Sequence, residues 1–184
     1  WSVLIQEFFE NHNCQDPQVW KMPLELIEFT EKHQSSLTKK YPLLIELLNF
    51  EWKEVEYYMM PDEKFPEERT SDFFSDPWVF NPESEILTLS YPLHLKNARF
   101  ISISDEGQYF CLIFRQPKTF KVKFLNLSPF FAWLIATMQT EPISVDELSP
   151  VIKKEFGITD VQQFKQNIEP FYKKLCLDGM ILSS

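Results

Sequence analysis

The spacing of apolar residues changes twice along the chain, and this change limits the folds that the chain can adopt. Up to residue 60, apolar residues recur every three or four positions, as they do in amphipathic helices. Between residues 86 and 126 the spacing becomes that of strands. From Ser128 onwards the helical spacing returns. The sequence therefore predicts an α+β fold, in which an N-terminal helical unit precedes a small antiparallel sheet and three further helices.

The first sixty residues are predicted to form a helical domain. Its predicted helices cover residues 2–12, 23–33 and 42–59. Pro23 and Pro42 stand at helix starts, where proline is tolerated because the first N–H groups of a helix have no partner within it. The last helix has an acidic outer face, formed by Glu46, Glu51, Glu54 and Glu56. Because Trp1 already belongs to the helical pattern, we expect further chain before it.

Residues 61–82 are predicted to form an irregular linker. Four prolines interrupt this segment, namely Pro61, Pro66, Pro77 and Pro82. It also contains four aromatic residues, namely Phe73, Phe74, Trp78 and Phe80. So many aromatic side chains favour a linker that packs onto the protein surface. The predicted organisation is therefore a helical domain (1–60), a linker (61–82) and a second domain (83–184).

The second domain is predicted to begin with strands and to end with helices. Predicted strands cover residues 86–91, 100–104, 108–115 and 119–126, and the last two form a hairpin around Gln116-Pro117-Lys118. The side chains of Ser128, Ser144 and Asp160 predict the starts of three helices, because such side chains accept hydrogen bonds from helix N-termini. Gly157 and Gly179 predict the ends of the last two helices. Residues 180–182 are predicted to return as a short strand.

The net charge of −9 is distributed unevenly. Residues 1–80 contain 16 acidic and 7 basic side chains, whereas residues 81–184 contain 11 of each. Nucleic-acid interfaces need many lysines and arginines to neutralise phosphates. The acidity therefore disfavours a nucleic-acid interface in the first part of the chain and leaves the question open for the second.

Several classes of functional site are not indicated by the sequence. Cys14, Cys111 and Cys176 are distant from each other, so we expect reduced thiols in a cytoplasmic protein and neither a zinc site nor a disulfide framework. His12, His33 and His94 are isolated, and none has another His or a Cys three or four residues away, which predicts no metal site. Glycine-rich phosphate loops and recognisable catalytic constellations are also absent from the sequence. We therefore expect no cofactor, no metal, no membrane span and no catalysis by this chain alone.

The order and spacing of several short motifs resemble the HvfC-like family. In the first part these motifs are Phe8–His12, Met22–Phe29 and Tyr41–Trp52, and in the second part they are Asn81-Pro82, Tyr91–His94, Tyr109–Arg115 and Phe124–Asn126. Members of this family are often described as DNA-binding domain proteins. The chain departs from the family pattern at Leu95, where members often have arginine, and at Leu48–Trp52, where they often have Ala-His-Tyr-Glu-Trp.

The family resemblance implies a partner protein. Several relatives, including the MbnC type of methanobactin biosynthesis, are partner subunits of multinuclear iron oxidative enzymes with a TIM-barrel fold. Those enzymes modify cysteines in ribosomally made precursor peptides, and the partner helps to hold the peptide. Candidate contacts with such an enzyme are Glu51, Trp52, Trp78 and His94. An ordinary solvated helix face is the alternative reading of Glu51 and the acidic side chains near it.

The chain from Lys121 to Leu182 also resembles the PqqD-type peptide-recognition winged helix. That resemblance implies a winged-helix-like domain in which a leader peptide adds a strand to a sheet edge and lies against the third helix. The implied peptide-binding residues are Arg115, Lys118, Phe120, Lys121, Val122 and Lys123 of the hairpin, with Phe164, Lys165 and Ile168 of the third helix. The basic residues of the hairpin suit an acidic leader peptide. Alternatively, they protect an exposed sheet edge against aggregation.

A DNA-binding regulator is the alternative function. The third helix carries polar side chains at Gln162, Gln163, Gln166 and Asn167, and a winged helix can place such a helix in the major groove. Lys165 is the one basic residue in the N-terminal half of this helix, whereas specific DNA binding needs several phosphate contacts. The sequence therefore ranks DNA binding below peptide binding.

Overall fold

The computed structural model describes residues 2–14 and 16–183, so the expectation attached to Trp1 lies outside the described residues. The chain divides into two compact units. The helical unit contains the chain up to Met60 together with Thr88–Tyr109, and the sheet unit contains Pro61–Leu87 and the chain from Phe110 onwards. This division differs from the predicted one in two places. The linker belongs to the sheet unit, and residues 88–109 belong to the helical unit.

Helices α1 to α4 of the helical unit cover Ser2–Asn11, Met22–His33, Ser35–Lys40 and Leu44–Met59. Buried apolar side chains of α1, α2 and α4 form the core of this unit, namely Leu4, Phe8, Leu26, Ile27, Phe29, Leu48 and Trp52. The helices predicted from the apolar spacing are confirmed to within about two residues at their ends. The short helix α3 is a difference, because it lies in the polar segment 34–41, where the sequence analysis predicts no helix.

The segment 88–109 contains two short 3-10 turns, Ala98–Phe100 and Ile103–Asp105. The strand predicted over residues 100–104 is therefore wrong. The Asp105 carboxylate accepts hydrogen bonds from the Lys96 ammonium (2.7 Å) and from the main-chain N–H of Ser102 (2.8 Å). These contacts lower the pKa of Asp105, and they close a local turn that competes with an extended strand.

In the described part of the chain, strands β1 (Ser84–Leu89), β2 (Tyr109–Arg115) and β3 (Val122–Leu127) form one sheet in the order β1-β2-β3. Strands β2 and β3 are antiparallel, and their register runs from Phe110 opposite Leu127 to Arg115 opposite Val122. The predicted hairpin is confirmed. Strand β3 begins a few residues later than predicted, because residues 116–121 form the turn.

Helices α5 (Pro129–Thr140), α6 (Val145–Phe156) and α7 (Val161–Asp178) follow the sheet. The side chains of Ser128, Ser144 and Asp160 accept hydrogen bonds from main-chain N–H groups two or three residues later. Gly157 (φ 68°) and Gly179 (φ 77°) end α6 and α7 in the left-handed conformation that favours glycine. The predicted starts and ends of these helices are therefore confirmed.

The core of the sheet unit joins one face of the sheet to α5, α6 and α7. Its members include Leu112, Phe114, Leu127, Leu134, Ile135, Leu148, Ile152, Ile168, Leu175 and Met180. Phe74 and Trp78 of the linker are also buried in this core, so the linker contributes to the interior as well as covering the surface. The strand predicted over residues 180–182 is reduced to single bridges with the linker, Phe80 with Ile181 and Thr70 with Ser183.

None of the helices in the described ranges has the length and apolar composition needed to cross a membrane.

Candidate peptide-binding site

Strand β3 is an outer strand of the sheet, and the hydrogen bonds of the hairpin show which of its main-chain groups face outward. The main-chain N–H of Gln116 donates to the carbonyl of Lys121 (2.9 Å). The main-chain N–H of Arg115 points the other way, away from β3, and donates to the main-chain carbonyl of Glu83 (3.0 Å). In an antiparallel pair these two patterns alternate. The main-chain N–H and C=O of Val122, which lies opposite Arg115, therefore point away from β2.

Exposed lysines line the hairpin beside this edge. Lys118, Lys121 and Lys123 are all exposed, and residues 116–127 contain no acidic side chain. Successive side chains of a strand point to opposite faces, so Lys121 and Lys123 share a face with Leu125 and Leu127. Leu127 belongs to the core against α5–α7, and Leu125 packs against that core. The lysines therefore lie on the same face of the sheet as the helices, and they remain exposed there.

The C-terminal half of α7 contacts the elements that precede and follow β3. At one end, the ring of Phe171 stacks on Phe131, which lies in the first turn of the helix that directly follows β3 (centroids 3.8 Å apart). At the other end, the Gln116 amide donates to the carbonyl of Asp178 (3.2 Å). Residues at helical spacings of three and seven share a face, which places Lys174 beside Phe171 and Asp178. We call Lys121, Val122, Lys123, Phe131, Phe171 and Lys174 the β3–α7 surface.

The third-helix residues predicted to bind the peptide are not part of the β3–α7 surface. Phe164 and Ile168 are buried in the core of the sheet unit, and Phe164 also lines a cleft of about 360 Å³ between α6 and α7. The ammonium of Lys165 lies 3.7 Å from the ring centroid of Phe74. The apolar side chains stabilise the core, and the lysine covers a linker aromatic. The C-terminal half of the helix supplies the surface instead.

Arg115 differs from the prediction as well, because it is buried. Its side chain is 3% exposed, and its Nε and Nη2 each donate to a Glu83 carboxylate oxygen at 2.7 Å. Nη2 also donates to Asp62 at 2.9 Å. The hydrogen bonds with Arg115 lower the pKa of Glu83, and those with Glu83 raise the pKa of Arg115. Arg115 therefore stabilises the interior of the sheet unit and does not present its charge to a peptide.

Asn81 supports this ion pair, a role that the sequence analysis does not assign. Its side-chain amide donates to the carbonyls of Arg115 (2.8 Å) and Gly179 (3.2 Å). Its side-chain oxygen accepts the main-chain N–H of Glu83 (2.9 Å). One buried amide thus joins the linker, β2 and the end of α7. The Asn81-Pro82 motif is the sequence signal for this position, but its partners are far away in the chain.

The residues predicted to contact a partner enzyme fall into two groups. Trp52 and Trp78 are buried in the cores of the helical and sheet units. Trp52 stacks on Trp20 (5.8 Å), and the indole N–H of Trp78 donates to the Phe73 carbonyl (2.7 Å). Their rings are therefore inaccessible to a second protein unless a core opens. Glu51 is exposed on α4, and His94 is half-buried in segment 88–109.

Segment 88–109 carries three exposed apolar side chains that the sequence does not predict. Leu95, Phe100 and Ile103 are 55%, 65% and 65% exposed. The loop that carries them is held in one conformation by the Asp105 contacts, by the Tyr109 hydroxyl donating to the Asp105 carbonyl (2.9 Å) and by Gly107 N–H donating to Ser90 (2.9 Å). The signal in the sequence is weak, since these residues follow neither a helical nor a strand period.

Metal-ligating and nucleophilic side chains are dispersed. Within residues 2–14 and 16–183, no three His, Cys, Asp or Glu side chains are grouped so that they could hold a metal ion. Burial raises the pKa of the Cys111 thiol to about 12, which keeps it protonated near neutral pH.

Comparison with known protein families gives a match. The family model described as the HvfC C-terminal domain matches residues 81–176, which is more than half of the chain. This range contains the whole sheet, α5, α6 and most of α7. No curated protein sequence matches the chain.

Proposed function

Since the chain belongs to the HvfC family, we propose that it is a non-catalytic partner protein which binds a precursor peptide and docks it on an iron-dependent peptide-modifying enzyme. In this proposal the enzyme is a multinuclear iron oxidative enzyme with a TIM-barrel fold, and the pathway makes a ribosomal peptide natural product. The observation that carries the proposal is the β3–α7 surface. This surface of the sheet unit combines an outer strand, exposed lysines and one face of a helix.

Peptide binding at this surface follows from ordinary sheet chemistry. An extended peptide can add to an outer strand through main-chain hydrogen bonds, and the outward N–H and C=O of Val122 provide one donor and one acceptor for it. Lys121, Lys123 and Lys174 then attract carboxylates of the peptide, since opposite charges across an interface favour encounter and select the partner. The proposed ligand is therefore an acidic peptide segment in an extended conformation.

Charge reversal on β3 tests this proposal. The probe is a fluorescein-labelled peptide of about ten residues, in which glutamate alternates with threonine around one central phenylalanine. We expect the Lys121→Glu, Lys123→Glu double variant to weaken its binding about tenfold or more, as measured by fluorescence anisotropy at low salt. The matched control is Lys153→Glu with Lys154→Glu on α6, which changes the net charge equally and should leave the affinity unchanged.

The same titration separates a specific surface from general charge attraction. A probe with lysine in place of glutamate should not bind. Equal losses in the β3 and α6 double variants would exclude the β3–α7 surface as the binding site.

Proline substitution tests the contribution of the peptide main chain. Val122→Pro removes an N–H group that points away from β2, and proline is tolerated at such positions of an outer strand. We expect this variant to keep its fold, measured by circular dichroism, and to lose affinity for the acidic probe. Undiminished binding by a folded Val122→Pro chain would contradict strand addition.

We assign enzyme docking to the helical unit. The support is the ordered loop with exposed Leu95, Phe100 and Ile103, because exposed apolar side chains on a fixed backbone are typical of protein interfaces. Glu51 on α4 offers an exposed charge in the same unit.

Co-expression with an iron enzyme encoded beside the gene for this chain tests docking. We expect the two proteins to co-purify, and Phe100→Ser with Ile103→Ser to reduce the recovered complex. Val3→Ser with Val19→Ser is the matched control, because both valines are exposed apolar residues of the same unit. Clean separation of the wild-type proteins would contradict the partner function, and full recovery of the loop variant would exclude this loop.

DNA binding is the outcome that would replace the proposal. Lys165 of α7 packs over the Phe74 ring, which disfavours a phosphate contact by the one basic residue of that helix half. We expect no specific gel shift at low salt. A specific shift with a steep salt dependence would favour the regulator instead.

A further inference from the structure

The turn of the β2–β3 hairpin holds an aromatic residue in a strained conformation. Among the residues that the structure describes, Phe120 is the one non-glycine residue with positive φ (57°). Glycine is the usual residue at such a hairpin position, because a Cβ atom is disfavoured in the left-handed region. Phe120 is also 51% exposed, so burial of its ring does not account for the strain. Strained residues of this kind are concentrated at functional sites.

Hydrogen bonds fix the backbone of this turn. The N–H of Phe120 donates to the Gln116 carbonyl (2.9 Å), and the Thr119 hydroxyl donates to the Gln116 side-chain oxygen (3.0 Å). The Gln116 amide in turn donates to Asp178 at the end of α7. The turn is therefore attached to the same helix end that borders the β3–α7 surface.

The ring of Phe120 lies next to the guanidinium of Arg115. The Arg115 guanidinium lies 5.5 Å from the ring centroid, and Arg115 itself is fixed by Glu83. In the sequence of the turn, Phe120 lies between Lys118 and Lys121, and all three residues are exposed. An apolar contact point thus stands beside two cations at the start of β3.

We propose that Phe120 is the anchor that sets the register of the bound peptide, by contacting one apolar or aromatic side chain flanked by carboxylates. The inference rests on the proposed peptide-binding function. Lysine–carboxylate attraction is long-ranged and tolerates sliding of the peptide by two residues, whereas an aromatic contact is short-ranged and selects one alignment. The ligand is therefore an acidic strand with one apolar side chain at a defined distance from its start.

The test compares two probes on three proteins. The phenylalanine probe described above and a second probe with serine at the central position are titrated by anisotropy. We expect the wild-type chain to bind the phenylalanine probe about tenfold more tightly, which is the size of an aromatic contact with its buried area. Phe120→Gly should remove this preference and leave the affinity for the serine probe unchanged. Phe120→Leu should keep part of the preference.

Thermal unfolding separates this role from a structural one. Glycine relieves the left-handed strain, so we expect the melting temperature of Phe120→Gly to stay constant or to rise by about 2–4 °C. A fall in melting temperature together with lost binding would assign the ring to covering Arg115 and would overturn the inference. Phe120→Leu keeps the left-handed backbone and a side chain over Arg115, so it reports on the preference even if Phe120→Gly folds poorly.

Failure of the inference and failure of the proposed function give different results. If the wild-type chain binds both probes equally and Lys121→Glu with Lys123→Glu abolishes binding, the surface stands and Phe120 is not the anchor. If neither probe binds the wild-type chain, both the peptide-binding function and the anchor are wrong.

Discussion

The two sides of the β2–β3 hairpin differ in whether their basic side chains are buried or exposed. Arg115 at the end of β2 is buried and bound by carboxylates of the linker and of the residue before β1, whereas Lys121 at the end of the turn and Lys123 on the facing strand are exposed. Only Val122, which pairs with Arg115, separates the two lysines. The position of a cation on a hairpin therefore does not decide its role. Its partners and its burial do.

The chemistry of the two side chains fits this division. The planar guanidinium of Arg115 matches the two oxygens of Glu83 with two parallel hydrogen bonds, and buried charges persist only when they are paired in this way. A lysine ammonium is a point charge on a flexible chain, which suits an exposed surface that meets a mobile acidic ligand. The inner strand thus uses charge for stability, and the charges of the outer strand stay exposed, as the proposed peptide binding requires.

Removal of the buried cation should have the largest effect on this contrast. Arg115→Met leaves the Glu83 carboxylate buried without its partner, so we expect the free energy of unfolding to fall by about 4 kcal/mol, measured by urea denaturation. Lys123→Met on the facing strand is the control and should change it by less than about 0.5 kcal/mol. The double variant Arg115→Met, Glu83→Leu should regain about 2 kcal/mol, because it removes both charges. Equal effects of Arg115→Met and Lys123→Met would abolish the distinction between the strands.

The contact between the hairpin turn and the end of α7 should have the next largest effect. A Cβ atom at Gly179 would lie 2.8 Å from Cδ of Pro117, and the φ angle of Gly179 is 77°. We therefore expect Gly179→Ala to lower the free energy of unfolding by about 3 kcal/mol, from left-handed strain and steric overlap together. Gly157→Ala is matched in conformation (φ 68°) but has no atom within 4 Å of the added Cβ, and should cost about 1 kcal/mol. Equal costs would show that the turn moves freely away from α7.

Acid pH should weaken the inner strand selectively. The hydrogen bonds from Arg115 lower the pKa of Glu83 from its ordinary value of 4.5, so its carboxylate stabilises the folded chain above that pH. This contribution is lost as the pH falls below 4.5 and through the lower pKa of the folded state. We expect the difference in unfolding free energy between the wild type and Glu83→Gln to shrink from about pH 6 to about pH 3. Carboxylates that do not contact Arg115 cancel in this difference, and a difference that does not depend on pH would refute the assignment.

Neutralisation of the outer strand should have the smallest effect on stability. Lys121→Gln with Lys123→Gln removes two exposed charges and should change the free energy of unfolding by less than about 0.5 kcal/mol. The same variant should bind the acidic probe more weakly and with a smaller dependence on salt, because fewer ionic contacts remain to be screened. A large loss of stability would mean that the lysines are structural, as Arg115 is.

Local signals account for the parts of the fold that could be predicted. The helix starts at Ser128, Ser144 and Asp160 and the helix end at Gly157 depend on hydrogen bonds between residues two to four positions apart. The β2–β3 hairpin also joins neighbouring segments. The exposure of Lys118, Lys121 and Lys123 could be predicted for the same reason, because the hairpin turn and the outer strand leave polar side chains in solvent without a distant partner.

Contacts that neither a helical nor a strand period contains account for the predictions that failed. The residues 100–104 have the composition of a strand, but the Asp105 carboxylate and Lys96 close a turn there. Trp78 resembles an exposed linker aromatic in the sequence, yet it packs against Tyr172, almost a hundred residues later (ring centroids 5.4 Å apart). No local pattern contains such a contact.

By itself, the sequence determined the order of helices and strands, the helix caps and the basic character of the hairpin, because each depends on near neighbours. Only the tertiary structure decided that Arg115 is buried while the lysines stay exposed, and that the C-terminal half of α7 contacts the turn before β3 and the helix after it. The Arg115–Glu83 pair spans 32 positions and the Asn81–Gly179 hydrogen bond spans 98. Such pairs form only after the chain has packed, because the cost of burying a charge depends on which groups meet it inside the fold.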